Sequence, residues 1–182
     1  MIKSIKKKVK FFYKKIIILI FNQLYGKPSL LRRNQIDNSE YQYKVKLDNK
    51  VYKIFQFVHG NLYTNSNDTT SYITKNKKLS IASMQYAKFD HINSFNKSLS
   101  KNETLDIGTP KIKKNIKGNV LSLLSGGASK DNFTHWFTDV IPRLKIFNNK
   151  FDFKIIDKFY VPNFKYDFQK ESLNYLGIKK NQ

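Results

Sequence analysis

The sequence predicts an α/β protein built, in chain order, from a basic N-terminal helix, a small antiparallel β region and the start of a parallel α/β domain. Three observations support this prediction. Lysines and large apolar residues recur with helical spacing over residues 1–26. Apolar and polar residues alternate in short runs within residues 27–110, as in half-buried strands. Within residues 111–182, an apolar run, a loop of small residues and an amphipathic helix follow one another, which is typical of a parallel sheet.

Composition restricts the class of protein. The 182 residues suffice for a domain with a substantial core, and contents of 40% hydrophobic and 15% aromatic residues favour a folded chain over a disordered one. The absence of cysteine excludes disulfides and cysteine-based metal sites, which fits a reducing cytosol. His59, His91 and His135 lack the spacing of metal ligands, so no metal is expected.

The formal charge of +21 has two explanations. It favours polyanionic partners, such as nucleic acid, anionic lipid or sugar nucleotides. It also follows from A/T-rich coding, which enriches lysine together with Asn, Ile, Phe and Tyr. The lysines are scattered and no nucleic-acid-binding module accompanies them, so nucleic acid is the partner that the sequence favours least.

The N-terminal segment, residues 1–26, is predicted to be a basic amphipathic helix. Its apolar run, Ile16–Phe21, is far shorter than the roughly 20 apolar residues of a spanning helix. No small-residue cleavage site follows, so a signal peptide is not predicted either. Two alternatives stay open: the helix lies on an anionic membrane surface, or it docks on its own domain. The positions that would face the membrane are Ile2, Ile5, Val9, Phe12, Ile16, and Leu19 or Ile20.

The β region follows the Gly26-Lys27-Pro28 break and a polar segment, Ser29–Glu40, that we expect to be irregular. Tyr41–Leu47 and Val51–Phe55 alternate with period two around a turn at residues 48–50, which predicts a hairpin. Further short strands are predicted at Gly60–Thr64, Ser71–Thr74 and Leu79–Ile81. His59 at a strand junction and His91 in a polar loop are expected to have structural roles.

The parallel part begins with an apolar run, Gly118–Leu124, that predicts a buried strand. The small-residue loop Ser125–Ser129 and a helix follow, an order that places ligands at the strand's carboxyl end and the helix N-terminus. A second parallel strand is predicted at Tyr160–Pro162. A second helix is predicted over Phe168–Ile178, with Gly177 as its C-cap.

The helix after the loop carries two stripes. Its apolar positions recur at helical spacing, so we expect them to be buried: Phe133, Trp136, Phe137, Val140, Ile141, Leu144 and Phe147. Its polar positions lie four apart, on neighbouring turns of one face: Asp131, His135, Asp139 and Arg143. Either Asp131 or Asn132 is placed to cap the N-terminus. Because Pro142 disfavours helix at Ile141, we expect the helix to end or kink just past Asp139 and Arg143 to diverge from the stripe.

This helix resembles the signature of the family 61 glycosyltransferases, which transfer sugars in capsular-polysaccharide and O-linked glycan synthesis. The matching positions form one gapless stretch: Asn132, His135, Trp136, Asp139, Pro142, Arg143 and Leu144. Other segments are similar to the family in the same order: Leu62-Tyr63-Thr64-Asn65, Ser83-Met84-Gln85, and Val161-Pro162 followed by Phe168-Gln169 and Leu176-Gly177-Ile178.

The resemblance covers Tyr41 to Ile178 and implies a GT-B arrangement, in which the active site lies between two Rossmann-like domains. The chain would then hold an incomplete GT-B-like Rossmann domain, with the second domain absent. A truncated reading frame, a split gene or a fragment would each explain this. The missing C-terminal half would then be a partner as a separate chain, and this portion alone would be inactive without it.

The function implied by the resemblance is inverting transfer of a sugar from a sugar nucleotide to a glycan acceptor in surface polysaccharide synthesis. His135 and Asp139 would be the catalytic pair, one as the base and the other orienting it or contacting the acceptor. Asn132 would bind a sugar hydroxyl, and Arg143 would face an anionic group or tie the helix to the sheet. Trp136 is expected in the core. No cofactor or metal is implied beyond the donor substrate.

This function implies a cytoplasmic protein, peripheral at the inner face of the membrane. The alternative is a non-catalytic membrane-surface or interaction protein that uses the basic N-terminus. A nucleic-acid-binding role ranks third.

Overall fold

The structure is a computed structural model that describes residues 2–30, 37–64, 70–83, 113–124, 132–161 and 164–179. The chain divides into two compact units. The first unit draws on Met1–Tyr41, Gln56–Asn65 and Thr69–Ile112, and the second on Gln42–Phe55, Ser66–Asp68 and Lys113–Gln182. Among the described residues, no helix is both long and apolar enough to cross a membrane. The combination of helices, small antiparallel sheets and a parallel strand pair confirms the mixed α/β class.

The first unit contains helix α1 (Ile2–Tyr25) and a four-stranded sheet. The sheet order is β1-β6-β5-β4, from strands β1 (Ser29–Leu30), β4 (Asn61–Thr64), β5 (Thr70–Ile73) and β6 (Lys78–Leu79). β4 and β5 are antiparallel, with Leu62 opposite Tyr72. A short 3₁₀ helix, Ile81–Ser83, follows β6. The three strands predicted for this region are therefore present, with ends at most two residues from the predicted ones.

The expectation that Ser29–Glu40 is irregular is wrong at its start. Ser29 and Leu30 pair in parallel with Lys78 and Leu79, and the Ser29 N–H donates to the Lys77 carbonyl at 2.9 Å. This pairing depends on a strand far along the chain, so a local sequence pattern does not reveal it.

Helix α1 docks on the first unit through its carboxyl-terminal half. Ile17 and Phe21 are buried, and Phe21 is only 1% exposed. The Phe21 ring meets the rings of Tyr25 and Tyr63 edge-on, with centroids 5.6 and 5.1 Å away. Burial, and secondarily the neighbouring Tyr25, raise the pKa of Tyr63 above its ordinary value. Of the two alternatives for this helix, a membrane surface or its own domain, the structure shows the helix packed on its own domain.

A buried turn at Asp37 joins two parts of the first unit. The Asp37 carboxylate accepts hydrogen bonds from the Ser39 N–H at 2.9 Å and the Ser39 hydroxyl at 2.6 Å. It also accepts from the Thr74 hydroxyl at 2.7 Å and the Asn76 amide at 3.1 Å, both in the turn between β5 and β6. The carboxylate thereby connects the turn at residues 37–39 to the turn between β5 and β6.

The predicted hairpin is confirmed as β2 (Glu40–Leu47) and β3 (Lys50–Phe57). Its turn has two residues, Asp48 and Asn49, with φ of 45° and 61°. Positive φ at both positions is the geometry of the turn that matches strand twist, and Asp and Asn tolerate it better than most residues.

The second unit is built on two parallel strands, β7 (Val120–Ser122) and β8 (Lys158–Tyr160), with Leu121 opposite Phe159. Two parallel strands are thus present, as predicted, but two details differ. β7 lies within the predicted Gly118–Leu124 but is only partly buried, since Val120 is 39% exposed and burial begins at Leu123. β8 ends at Tyr160, where the predicted strand Tyr160–Pro162 begins, and Pro162 lies outside the described residues. Before β7, Gly118 has a φ of 91°, and a Cβ there would collide with the Asp157 carboxylate. That carboxylate accepts the Asn119 N–H at 2.7 Å, so the glycine permits the contact that sets the strand register.

Two helices cover this strand pair. Helix α2 spans residues 133–148, and helix α3 spans Asp167–Tyr175 after a 3₁₀ turn at Phe153–Ile155. Gly177 has a φ of 77°, and the Ile178 N–H donates to the Leu173 carbonyl, which completes the predicted glycine C-cap. The core consists of residues from both helices, the end of β7 and the cap: Leu123, Trp136, Val140, Leu144, Leu173 and Ile178.

Candidate functional site

Helix α2 begins beyond the carboxyl end of β7, where the sequence predicts a ligand site. Asn132 is its N-cap, and the Asn132 Oδ1 accepts the His135 N–H at 3.2 Å. This cap satisfies one of the orphan donors of the first turn. Of the two predicted caps, Asn132 has this role, whereas Asp131 and the loop Ser125–Ser129 lie outside the described residues.

Two alternatives were predicted just past Asp139, an end or a kink of the helix. The end is wrong, because the helix continues through a local change of its geometry. The segment Trp136–Val140 forms a π turn, in which the Ile141 N–H donates to the Trp136 carbonyl, and α-helix resumes over Ile141–Asn148. A proline ring clashes with the carbonyl four residues earlier in a regular helix. The wider turn just before Pro142 gives the ring room, so the helix continues.

The apolar stripe of α2 is only partly buried. Trp136, Val140, Leu144 and Phe147 are buried as predicted, and the Trp136 indole N–H donates to the Ser172 hydroxyl at 2.9 Å. The core position of Trp136 is thereby confirmed.

The prediction that Phe133 and Phe137 are buried is wrong, because their side chains are 59% and 40% exposed. Their rings contact each other and Phe168 of α3, with centroids 4.8 to 6.4 Å apart. One aromatic ring from α3 covers only part of each, so this end of the stripe remains open to solvent.

His135 and Asp139 form a pair on the exposed surface of α2. His135 Nδ1 lies 2.8 Å from Asp139 Oδ2, across one helical turn. Their side chains are 54% and 41% exposed, so solvent reaches both. A carboxylate at Nδ1 favours the tautomer that carries its proton there, which leaves Nε2 as the nitrogen that can accept a proton.

Arg143 lies one turn further along and does not continue the pair. Its Nη1 donates to the Leu124 carbonyl at 3.2 Å, just beyond the end of β7. The contact seen is therefore the link between helix and strand, the second of the two roles considered for Arg143. Because a guanidinium has five N–H donors, this bond leaves capacity for an anionic group at the same edge.

The remaining candidate residues belong to the first unit or lie outside the described part. His59 has a φ of 53° in the exposed turn between β3 and β4, consistent with a structural role. His91 and the Met84-Gln85 pair lie outside the described residues. Within the described ranges, no group of three or more His, Asp or Glu side chains could hold a metal ion.

Two residues near the site were not anticipated from sequence. Ser172 of α3 fixes the Trp136 indole, and Phe168 of α3 contacts the exposed rings of Phe133 and Phe137. The sequence placed both on a helix predicted to follow the second parallel strand, and it matched Phe168 to the family pattern, but it gave neither residue a role at the site.

Comparisons with known proteins identify no family for the chain: no family model, no curated protein and no solved structure matches it. The similarity to the family 61 glycosyltransferases therefore depends on the residues of the α2 motif and the short segments around it.

Proposed function

We propose that the chain belongs to a glycosyltransferase, similar to those of family 61, that transfers a sugar from a sugar nucleotide to a glycan acceptor with inversion. The observation that carries the proposal is the exposed His135–Asp139 pair at 2.8 Å, on a helix that begins beyond the carboxyl end of a parallel strand. That edge is where parallel α/β units bind their ligands. The motif match supplies the reaction class.

In this proposal His135 is the base and Asp139 positions it. Nε2 of His135 takes the proton of the acceptor hydroxyl while the acceptor oxygen forms a bond to the anomeric carbon. The bond from that carbon to the donor phosphate breaks, and the nucleotide leaves with the electron pair. Asp139 holds the imidazole in the required tautomer and stabilises the imidazolium that forms.

Two neighbouring side chains complete the proposed site. Asn132 uses Oδ1 as the helix cap, and its amide nitrogen would donate to a sugar hydroxyl. Arg143, held by the Leu124 carbonyl, would place a positive charge beside the phosphate groups of the donor.

The test compares His135→Asn with His59→Asn in the full gene product, assayed against a panel of nucleotide sugars with polysaccharide acceptors. We expect the first change to lower kcat/KM at least ~100-fold, because the base is lost. The second change is the matched control, since Asn tolerates the positive φ at that turn. Equal activity of the two variants, or no turnover by the folded unmodified protein with any donor, contradicts the proposal.

The pH dependence separates the base from its positioning partner. With His135 as base, His135→Asn removes the acidic limb of the kcat/KM profile, whereas Asp139→Asn retains the limb with a lower plateau. The control for the aspartate is Asp152→Asn, another exposed carboxylate, which lies beside Lys154. If Asp139→Asn abolishes the limb and His135→Asn keeps it, Asp139 is the base.

A further inference from the structure

Helix α1 has two apolar faces, of which its own unit covers only one. Ile17 and Phe21, one turn apart, are buried against the first unit. A second set of apolar side chains faces solvent at spacings of four and three residues, a run that we call the α1 stripe: Ile5, Val9, Phe12, Ile16 and Leu19. The stripe matches the face predicted from sequence to meet a membrane, and docking leaves it open.

The α1 stripe is long and strongly exposed. From Ile5 to Leu19 it extends for about 21 Å along the helix axis. Phe12 and Leu19 are each 69% exposed, and Ile20 widens the stripe at its carboxyl end. Singly exposed apolar residues are ordinary on a protein surface, but a continuous stripe of large ones marks a surface that another phase or partner covers.

All charged side chains of the helix are positive. The segment Ile2–Tyr25 contains seven lysines and no acidic residue. Lys8 and Lys15 lie on one flank of the stripe and Lys6 on the other, by helical spacing. An apolar face with lysines along its flanks and back suits the interface of an anionic bilayer. There the aliphatic part of each flanking lysine lies along the apolar layer, and its ammonium group reaches the lipid headgroups.

A second copy of the helix fits this surface poorly. Two stripes could pack with the four-three spacing of a coiled coil, but stable pairs use acidic and basic residues at the flanking positions. Here the flanking charges are all lysine, so two copies would bring like charges together. Anionic lipid supplies the opposite charge and an apolar layer at once.

We propose that α1 is a membrane-surface helix, which binds an anionic bilayer through Ile5, Val9, Phe12, Ile16 and Leu19 while Ile17 and Phe21 hold it on the protein. The apolar stripe enters the headgroup boundary, and the lysines bind lipid phosphates. This proposal is independent of the transferase proposal, and either can fail alone.

The test is co-sedimentation of the full chain with vesicles of phosphatidylcholine alone or with about one third phosphatidylglycerol. Phe12→Asp disrupts the stripe. Phe11→Asp is the matched control, because it makes the same change at a neighbouring exposed position that lies about 100° around the helix.

We expect the unmodified chain to bind only the anionic vesicles, and to bind less as salt rises from about 0.1 to 0.5 M. The stripe variant should lower the partition coefficient at least ~10-fold, and the control less than about threefold. Equal losses in both variants, or no binding by the unmodified chain, overturn the proposal. A different result also overturns it: the chain does not bind vesicles but forms a dimer in solution, and this dimer dissociates in the stripe variant and not in the control.

Discussion

Asp37 and Asp139 are two carboxylates in two regions of the molecule, and their surroundings give them opposite capacities. Asp37, in the first unit, is 7% exposed and accepts hydrogen bonds from Ser39, Thr74 and Asn76. Asp139, in the second unit, is exposed and is paired with one imidazole. A carboxylate whose oxygens are saturated by donors stabilises a fold, whereas one with accessible lone pairs can take part in chemistry.

The largest expected difference between the two regions is in stability. Asp37→Ala leaves a buried set of donors without their acceptor, and should lower the free energy of unfolding by about 1–3 kcal/mol. Asp139→Ala breaks an exposed pair and should cost less than about 1 kcal/mol. Urea unfolding followed by circular dichroism measures both.

A loss at Asp139 as large as that at Asp37 would contradict the comparison. Circular dichroism suits this measurement because the only tryptophan, Trp136, lies in the second unit and reports on Asp37 poorly.

The same contrast predicts an acid dependence of stability. Burial alone would raise the pKa of Asp37, but the hydrogen bonds from Ser39, Thr74 and Asn76 outweigh it and lower the pKa below 3.8. Because the folded-state pKa lies below the unfolded value, the stabilisation is complete above the unfolded pKa and is lost as pH falls through the folded pKa. The difference in unfolding free energy between unmodified chain and Asp37→Asn should therefore shrink below about pH 4.

Unfolding titrations of the two proteins at neutral pH and at several acidic values measure this difference. Other carboxylates titrate in both proteins and cancel, so a difference that stays constant with pH would exclude Asp37 as the source.

Local patterns predicted most of the secondary structure. Asp48 and Asn49 marked the hairpin, Gly177 marked the end of α3, and the spacing of Trp136, Val140 and Leu144 marked the buried face of α2. Each of these signals lies within a few residues of the structure it determines.

Most of what the sequence did not reveal depends on contacts between distant segments. The continuation of α2 past Pro142 is a local exception, because it depends on the π turn just before the proline. The acceptor role of Asp37 requires Thr74 and Asn76, which only the folded sheet brings near. The exposure of Phe133 depends on how much of α2 the ring of Phe168 covers. The Asp37-Asn38-Ser39 sequence did carry a turn signal, since an Asp side chain commonly accepts from the backbone two residues on.

An effect smaller than that at Asp37 is expected at Asn132, which is intermediate between the two aspartates because one of its polar atoms is used and the other is available. Asn132→Ala removes the cap bond to the His135 N–H and should cost about 1 kcal/mol. Asn132→Asp keeps an oxygen acceptor beside the positive end of the helix and should cost little. Unfolding followed by Trp136 fluorescence measures both, one helical turn from the cap.

Activity then separates the cap from a substrate contact, because Asn132→Asp keeps the cap oxygen and replaces the amide donor with a negatively charged oxygen that cannot donate. If the amide nitrogen binds a sugar hydroxyl, Asn132→Asp should raise KM for a nucleotide sugar or the acceptor about tenfold while stability is retained. If both stability and KM stay unchanged in Asn132→Asp, Asn132 serves the helix alone. The capacity for chemistry on α2 would then be confined to the His135–Asp139 pair and to Arg143.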